Sequence, residues 1–179
     1  SSDEEDTEDD WGADDDAKVY TYEAAGIKNL DIDIDAAEIY VKQGTDDKNL
    51  VVRTYGCKEK YYKGDMNKDT LQIQYEIHKQ FPDNYDAQIV IEIPEKMTFD
   101  TMDFDIGAAS GSVNCRTMEL NVGAGELTGA DFAVTGTLDI KLGAGDIDLE
   151  GGTYKDIKLD CGMGSFALDG IVAENVKAH

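Results

Sequence analysis

The second half of the chain repeats one pattern of apolar and polar positions four times. A phrase of small residues, most fully written Gly-Ala-Gly, begins at Gly107, Gly123, Gly143 and Gly162, at spacings of 16, 20 and 19 residues. Apolar residues stand five, three and one positions before each of these glycines: Met102, Phe104, Ile106; Met118, Leu120, Val122; Leu138, Ile140, Leu142; and Ile157, Leu159, Cys161. Alternation with a period of two predicts β-strands, and the return of the same phrase predicts a repeat architecture.

Each repeat of about 19 residues has the length of one rung of a β-solenoid, in which equivalent apolar residues stack in columns. The glycines suit a bend, because glycine adopts positive φ without a Cβ penalty. An antiparallel meander with Gly-Ala-Gly hairpin loops is the alternative. Matching columns at nearly constant spacing favour the solenoid, with rungs over about residues 101–179.

Two further copies of the pattern are incomplete. Leu30, Ile32 and Ile34 fit the frame without the glycines, and Val176 opens a late copy that stops at His179. We therefore expect the parent protein to continue with another such turn, so that the repeat region is truncated at its C-terminal end.

The first half also alternates apolar and polar residues, although it does not repeat. Strands are expected at Leu71-Ile73-Tyr75-Ile77 and at Ile89-Ile91-Ile93, the latter ended by Pro94, and turns are expected at 43–47, 63–65 and 82–84. No window shows a helical stripe. The prediction is an all-β fold with longer, less regular strands ahead of the repeats.

Charge divides the chain into a tail and a domain. The formal net charge is −23, and residues 1–16 hold ten acidic residues without a Lys or Arg. Such a segment buries too little apolar surface to fold, so residues 1–17 are predicted to be an acidic disordered linker and residues 18–179 a single β-repeat domain. Trp11 is the one apolar anchor in the tail. This charge argues against nucleic acid or an anionic membrane as partner.

The chain has no apolar run of the length that a membrane helix needs. It opens inside the acidic tail, at Ser1, without an initiator Met. We interpret it as an ectodomain at the cell envelope or outside the cell, anchored through a segment upstream of residue 1 and not itself inserted in the membrane.

The three cysteines, Cys57, Cys115 and Cys161, have neither disulfide-framework nor metal-site spacing. Three reduced, mostly buried thiols are expected, although one disulfide with a free thiol is an open alternative. Cys161 replaces an aliphatic residue in the last apolar column, which predicts a buried, inert thiol.

These features together resemble the bacterial putative-adhesin family of β-strand repeat domains, whose function is unassigned. The resemblance covers about residues 18–179 and rests on Ile32-Asp33-Ile34, Glu38-Ile39-Tyr40-Val41, Ile91-Glu92-Ile93-Pro94 and the Gly-Ala-Gly phrases. It implies a right-handed single-stranded β-helix or solenoid-like fold, exported and held at the envelope. It offers no catalytic residues, and "adhesin" follows from architecture rather than mechanism.

Candidate chemistry is sparse. His78 and His179 are the only histidines, and neither a nucleophile elbow, a zinc helix nor a phosphate loop occurs. Asp31-x-Asp33-x-Asp35 resembles the opening of a calcium loop but has Ala36 where that loop needs glycine, so one polar strand face is the better interpretation. Gly143 to Asp148 resembles a calcium-binding β-roll only faintly, because its Asp146 position is not acidic in every copy. No catalytic, cofactor-binding or metal-binding residue is predicted, and no cofactor.

A carbohydrate-active enzyme would need clustered carboxylates beside a positioned cation. If the rungs stack in register, Glu126 lies over Asp146 and Lys141 lies near Asp160. Arg116 is the one arginine of the repeat half. We expect ordinary surface pairs here rather than a catalytic site.

Tyr61 and Tyr62 lie among Lys58, Lys60 and Lys63, the one locally basic stretch. Exposed tyrosines stack on sugars and anchor protein partners, although tyrosine is also an ordinary strand residue. The predicted function is a non-catalytic, adhesin-like binding module at the cell surface, with an unknown protein or glycan as partner. A structural or sensory envelope domain is the first alternative, and a carbohydrate-active enzyme is the second.

Overall fold

The computed structural model describes residues 17–34, 37–77, 87–94, 97–106, 109–111 and 114–179. These residues form one thirteen-stranded sheet system with two short 3-10 turns and no α-helix. In the first half the strands are β1 (Lys18–Glu23), β2 (Asn29–Ile34), β3 (Glu38–Gln43), β4 (Asn49–Tyr55), β5 (Tyr62–Asn67), β6 (Thr70–Tyr75) and β7 (Gln88–Ile93). In the second half they are β8 (Phe99–Ile106), β9 (Ala109–Gly111), β10 (Asn114–Ala130), β11 (Ala133–Glu150), β12 (Thr153–Asp169) and β13 (Val172–Ala178).

The strands form two ladders that share the long strands β10 to β12. The first ladder runs β5-β6-β2-β8 and continues through the first halves of β10, β11 and β12 to β13. The second runs β1-β4-β7-β3-β9 and continues through the second halves of β10, β11 and β12. Each turn of the stack thus contributes one stretch of strand to each ladder.

Pairing among the repeats is parallel and in the predicted register. Met118 pairs with Leu138, and Leu138 pairs with Ile157. The same holds for the other predicted apolar columns, which run Leu120–Ile140–Leu159, Val122–Leu142–Cys161 and Leu127–Ile147–Phe166. The solenoid-like stacking is therefore confirmed, and the antiparallel meander is wrong, because a meander would pair neighbouring strands in opposite directions.

The stacked columns form the core. Leu138, Ile140, Ile157 and Leu159 are each at most 1 % exposed, and strands of both ladders contribute to one buried cluster. Each such aliphatic side chain contributes about 1.5–3 kcal/mol by leaving water. A one-residue slip of register would turn every column outward, so the alternation fixes how one rung sits on the next.

Small residues at the bends are required by the backbone. Gly145 and Gly164 have φ of 135° and 133°, a region that residues with a Cβ rarely adopt. A Cβ on Gly164 would also overlap the carbonyl oxygen of Gly145 in the rung below. The predicted positive φ is found at these two glycines, but they lie inside the long strands β11 and β12 rather than between two separate strands.

A second column of bends lies at the far corner of the rungs, and the repeat pattern did not reveal it. Asp131, Gly151 and Gly170 have φ of 57°, 63° and 68°. Asp131 N donates to Glu150 O, and Gly151 N donates to Asp169 O, so these corners stack directly. The signal in the sequence was present as Gly151-Gly152 and Gly170, but Asp131 at the equivalent position hides it.

The first half differs from its prediction in two respects. Its strands are shorter than those of the repeats, with six or seven residues against 17 or 18 for β10 to β12. Residues 63–65 lie inside β5 rather than in a turn, and the chain turns instead at Lys68, whose φ is 59°. Gly64 is explained by packing: a Cβ there would overlap the Tyr22 hydroxyl. The predicted turn at 43–47 and the end of β7 before Pro94 are confirmed.

The first half also supplies rungs and a cap. β2 and β3 form one rung, as the pattern of Leu30 to Ile34 predicted, and β6 and β7 form another that lies beyond it, away from the repeats. Antiparallel strands cover this end: β5 pairs with β6, β4 with β7 and β1 with β4.

The part of the chain described here contains no helix long and apolar enough to cross a membrane.

Several predictions concern residues outside the described ranges. Trp11, the acidic tail to residue 16, the Asp35-Ala36 pair, His78, the 82–84 turn and the Gly107-Ala108 pair belong to this group.

Candidate functional site

Five tyrosines from four segments meet where the antiparallel strands cover the stack. Here they are called the tyrosine end, and they are Tyr20, Tyr22, Tyr61, Tyr62 and Tyr75. Tyr20 and Tyr22 stand two residues apart on β1, so their side chains leave the same face of that strand. Tyr62 lies opposite Tyr75 in the pairing of β5 with β6.

Tyr62 is held on two sides. Its ring stacks on Tyr20 with 4.0 Å between ring centroids and 18° between ring planes. Its hydroxyl lies 2.7 Å from the Tyr22 hydroxyl in a hydrogen bond. Burial raises the pKa of Tyr62 well above its ordinary value, with a further rise from the Tyr22 hydrogen bond and the nearby Tyr20 and Cys57. Tyr62 therefore packs against the end of the core, and its binding role stays a prediction.

Tyr61 has a different environment. It is half-buried, it meets Tyr75 edge-to-face with centroids 6.4 Å apart, and Lys60 Nζ lies 5.2 Å from its ring centroid. A cation at this distance from an aromatic ring is attracted by the ring quadrupole. Lys58 and Lys63 are exposed nearby in the sequence. Tyr61 and these lysines form the candidate binding surface, named here the Tyr61 surface.

Backbone and thiol contacts hold the Tyr61 surface on the core. The backbone N–H of Lys58 donates to the Tyr75 hydroxyl at 2.9 Å, and Tyr75 itself is 1 % exposed. Cys57 donates to the carbonyl oxygens of Tyr55 and Gln88 at 3.7 and 3.8 Å. Burial raises the pKa of the Cys57 thiol to about 11, so this thiol stays protonated at neutral pH and supports the surface without being a nucleophile.

The pairs considered for catalysis lie in register along the backbone. Glu126 pairs with Asp146, and Lys141 pairs with Asp160, as predicted. Asp146 accepts a hydrogen bond from the Ser165 hydroxyl at 2.8 Å. Lys141 and Asp160 are both exposed on the strand surface, as is Arg116. Among the described residues no group of three metal-ligating side chains comes together.

The cysteines differ from the prediction at one position. None of the three forms a disulfide. Cys115 is buried, and burial raises its pKa to about 12. Cys161 is half-buried rather than buried. Its place in the stack accounts for this: β13 pairs with Thr153 to Leu159, and at Cys161 only the backbone of His179 lies alongside, accepting a hydrogen bond from Cys161 N.

Sequence reasoning located Tyr61 and the lysines but missed the tyrosines that support them. Tyr20 and Tyr22 lie about forty residues from Tyr62 in the chain, and local pattern carries no information about that contact. The Tyr20-x-Tyr22 spacing was the available signal, since it places two aromatic side chains on one strand face.

Solved structures with the same architecture come from bacteria. One is described as a putative cell adhesion protein from Clostridium sporogenes, with 12% identity, a TM-score of 0.55, and coverage of 91% of this chain and 99% of that one. Another is described as a putative lipid binding protein from Parabacteroides distasonis, with 15% identity, a TM-score of 0.52, and coverage of 93% and 78%. At these identities the likeness shows the fold.

No curated protein matches this chain at a significant level. The sequence model of one family does match it, over residues 27–179, and that family is described as Toastrack DUF4097. The matched region includes every rung from β2 to β13 and the Tyr61 surface. This chain therefore belongs to the Toastrack DUF4097 family.

Proposed function

We propose that this chain is a non-catalytic, adhesin-like binding module and that the Tyr61 surface makes the contact with its ligand. The observation that carries the proposal is the placement of Lys60 over the half-buried ring of Tyr61. The surface stands out because the chain has a net charge of −23, yet Lys58, Lys60 and Lys63 fall within six residues of one another.

The chemistry of this surface suits a glycan with acidic substituents. An aromatic ring stacks on the apolar face of a sugar, and lysine ammonium groups attract carboxylate or sulfate groups. An acidic ligand would otherwise be repelled by so negative a protein. A protein partner is the other possibility, and it would use the same ring as an anchor.

We also propose that the module is displayed at the cell envelope or outside the cell, with residues 1–17 as an acidic spacer. The description of the Clostridium sporogenes neighbour as a putative cell adhesion protein supports a surface location. In the same proposal the solenoid-like stack is a right-handed single-stranded β-helix, a geometry that would hold the Tyr61 surface at one end of a stiff rod.

A glycan array that includes uronic-acid and sulfated sugars tests the proposal, with wild-type protein, Tyr61→Ala and Lys60→Glu compared. We expect both substitutions to reduce binding at least tenfold, since an aromatic anchor contributes about 1–2 kcal/mol or more. Tyr40→Ala is the matched control, because Tyr40 lies on β3, between β7 and β9, and is not one of the five tyrosines of the tyrosine end. Undiminished glycan binding by Tyr61→Ala would contradict the proposal that the Tyr61 surface contacts the ligand.

The second candidate function is a structural or sensory envelope domain. It is favoured by the far end of the stack, where Phe166 and Leu168 are only half-buried and offer a place for assembly. A folded protein that binds no glycan on the array would favour this function.

A further inference from the structure

The two ladders are joined at the tyrosine end by side chains. In the described chain β1 is the last strand of the second ladder and β5 is the last strand of the first. Each of the strands β10 to β12 runs through both ladders, whereas β1 and β5 are separate strands. The contacts between them include the stacked rings of Tyr20 and Tyr62 and the hydrogen bond between the Tyr22 and Tyr62 hydroxyls.

The Tyr20 and Tyr62 rings lie in the right place to react with each other. Their centroids are 4.0 Å apart and their planes differ by 18°, whereas Tyr61 and Tyr75 meet edge-to-face at 6.4 Å. Two nearly parallel rings in contact hold the carbon atoms beside each hydroxyl group close to the opposite ring, and such proximity makes a reaction effectively unimolecular. Both side chains are only half-buried, so an oxidant can reach the pair from solvent.

We propose that Tyr20 and Tyr62 form a dityrosine cross-link between β1 and β5 when the protein meets a peroxide and a peroxidase. Each phenol loses one electron and one proton, which leaves a radical on each ring. The radicals couple through ring carbons next to the hydroxyl groups. Each coupled carbon then releases its proton, and each oxygen regains one. The peroxide takes up the two electrons and two protons and leaves as two molecules of water.

The cross-link ties the ends of the two ladders together covalently. None of the three cysteines forms a disulfide, so no such bond already restricts the chain. A cross-link stabilises a fold mainly by restricting the unfolded chain, and here it closes a loop over residues 20–62. We therefore expect the cross-linked protein to unfold at a higher urea concentration than the untreated protein. The proposal is independent of the ligand of the Tyr61 surface.

Treatment of the full 179-residue chain with hydrogen peroxide and a haem peroxidase tests the proposal. The protein is kept dilute so that links between chains are rare. We expect a single-chain product that is lighter by two hydrogen atoms and has dityrosine fluorescence. Trypsin should release the peptides Val19–Lys28 and Tyr61–Lys63 as one linked species. The same treatment in urea should give at least about tenfold less of it, because unfolding separates the rings.

Phenylalanine variants identify the rings, since each of the two peptides contains two tyrosines. Tyr20→Phe and Tyr62→Phe should each abolish the linked species. Tyr22→Phe and Tyr61→Phe are the matched controls and should retain it, because they leave the stacked pair in place. Circular dichroism checks that all four variants stay folded.

Four outcomes overturn the proposal. They are a wild-type chain that gives no linked species, equal yields from folded and unfolded protein, a link that survives Tyr20→Phe, and a link to the peptide Thr54–Lys58. The last of these would place the reaction at Tyr55 or Cys57 instead of Tyr62.

Discussion

The two ends of this stack differ in how far their outermost apolar columns are covered. At the tyrosine end the last rung is covered, and Leu71, Ile73, Ile89 and Ile91 are all 0 % exposed. In the second half of β12, the last strand of its ladder in the described chain, Phe166 and Leu168 occupy comparable inward positions yet are only half-buried. A rung buries its columns only when something lies on both sides of it. The comparison therefore separates what the repeat supplies from what a cap supplies.

The cap works by changing the direction of the chain. β5 and β4 pair antiparallel with the last rung, and β1 pairs antiparallel with β4. Tyrosine suits this place, because a large ring fills the end of the core while its hydroxyl reaches a polar partner. Tyr22 and Tyr62 satisfy each other in this way. The second half of β12 and β13 have neither an antiparallel partner strand nor a tyrosine among the described residues.

The largest expected effect comes from removing a ring at the covered end. Tyr62→Ala should lower the free energy of unfolding by about 3 kcal/mol, because it deletes a packed ring, its stacking on Tyr20 and the Tyr22 hydrogen bond. Phe166→Ala should lower the free energy of unfolding by only about 1 kcal/mol, because the Phe166 ring is half-buried and removes less apolar surface from water. Urea unfolding at a concentration where the chain is monomeric measures both. Equal losses would mean that the two ends are equally well packed.

The sequence predicted the repeats well because one contact rule applies to every rung. Constant spacing placed Leu138 over Met118 and Ile157 over Leu138, and the backbone pairing has that register. The cap could not be predicted in the same way. It occurs once, and its central contact joins Tyr22 and Tyr62, which are forty positions apart. Gly64 shows the consequence: its sequence context is typical of a turn, and only the distant Tyr22 explains it.

The candidate binding surface was predicted only in part, for a related reason. A basic stretch with tyrosines is visible in the sequence, but which ring faces solvent depends on the strands around it. Tyr61 and Tyr62 are neighbours in the chain, yet Tyr62 is held between Tyr20 and Tyr22 while Tyr61 lies beside Lys60. Cys161, in the C-terminal rung, is a similar case. Its apolar column predicted burial, but Cys161 is only half-buried because the pairing with β13 ends at Leu159.

A smaller effect is expected from crowding the cap. Gly64→Ala should cost about 2 kcal/mol, because the new methyl group overlaps the Tyr22 hydroxyl and lies near that of Tyr62. In a Tyr22→Phe background the cost should fall by about 1 kcal/mol, since the overlapping oxygen is gone. Urea unfolding of the four proteins in the cycle measures this coupling.

Gly26→Ala is the control for that cycle. A Cβ at Gly26 meets nothing within 4 Å, so it should change the free energy of unfolding by less than about 0.5 kcal/mol. Losses for Gly64→Ala and Tyr22→Phe that simply add would show that the glycine is not there to make room for the tyrosine.

The most gradual effect is a loss of stability in alkaline solution, to which the tyrosine end contributes. Burial raises the pKa of Tyr20, Tyr22 and Tyr62 above the ordinary value of 10.0, and it raises that of Cys57 from 9.0 to about 11. A group with a raised pKa stabilises the fold fully below its unfolded pKa, and this contribution is lost as the pH rises toward the folded value. The free energy of unfolding should therefore be constant up to about pH 9 and then fall, by up to about 1.4 kcal/mol per pH unit for each group.

Tyr62→Phe separates the tyrosine end from the rest of the molecule in this titration. It removes one hydroxyl group whose pKa is raised. Above pH 10 the free energy of unfolding should therefore fall less steeply than in the wild type, by up to about 1.4 kcal/mol per pH unit. Tyr40→Phe removes a tyrosine whose hydroxyl donates to Glu38 on the exposed surface and should leave the slope unchanged. Urea unfolding at a series of pH values provides the slopes. Identical slopes for wild type and Tyr62→Phe would place the alkaline loss at other groups whose pKa is raised by burial, such as Cys115 and Tyr154, both raised to about 12.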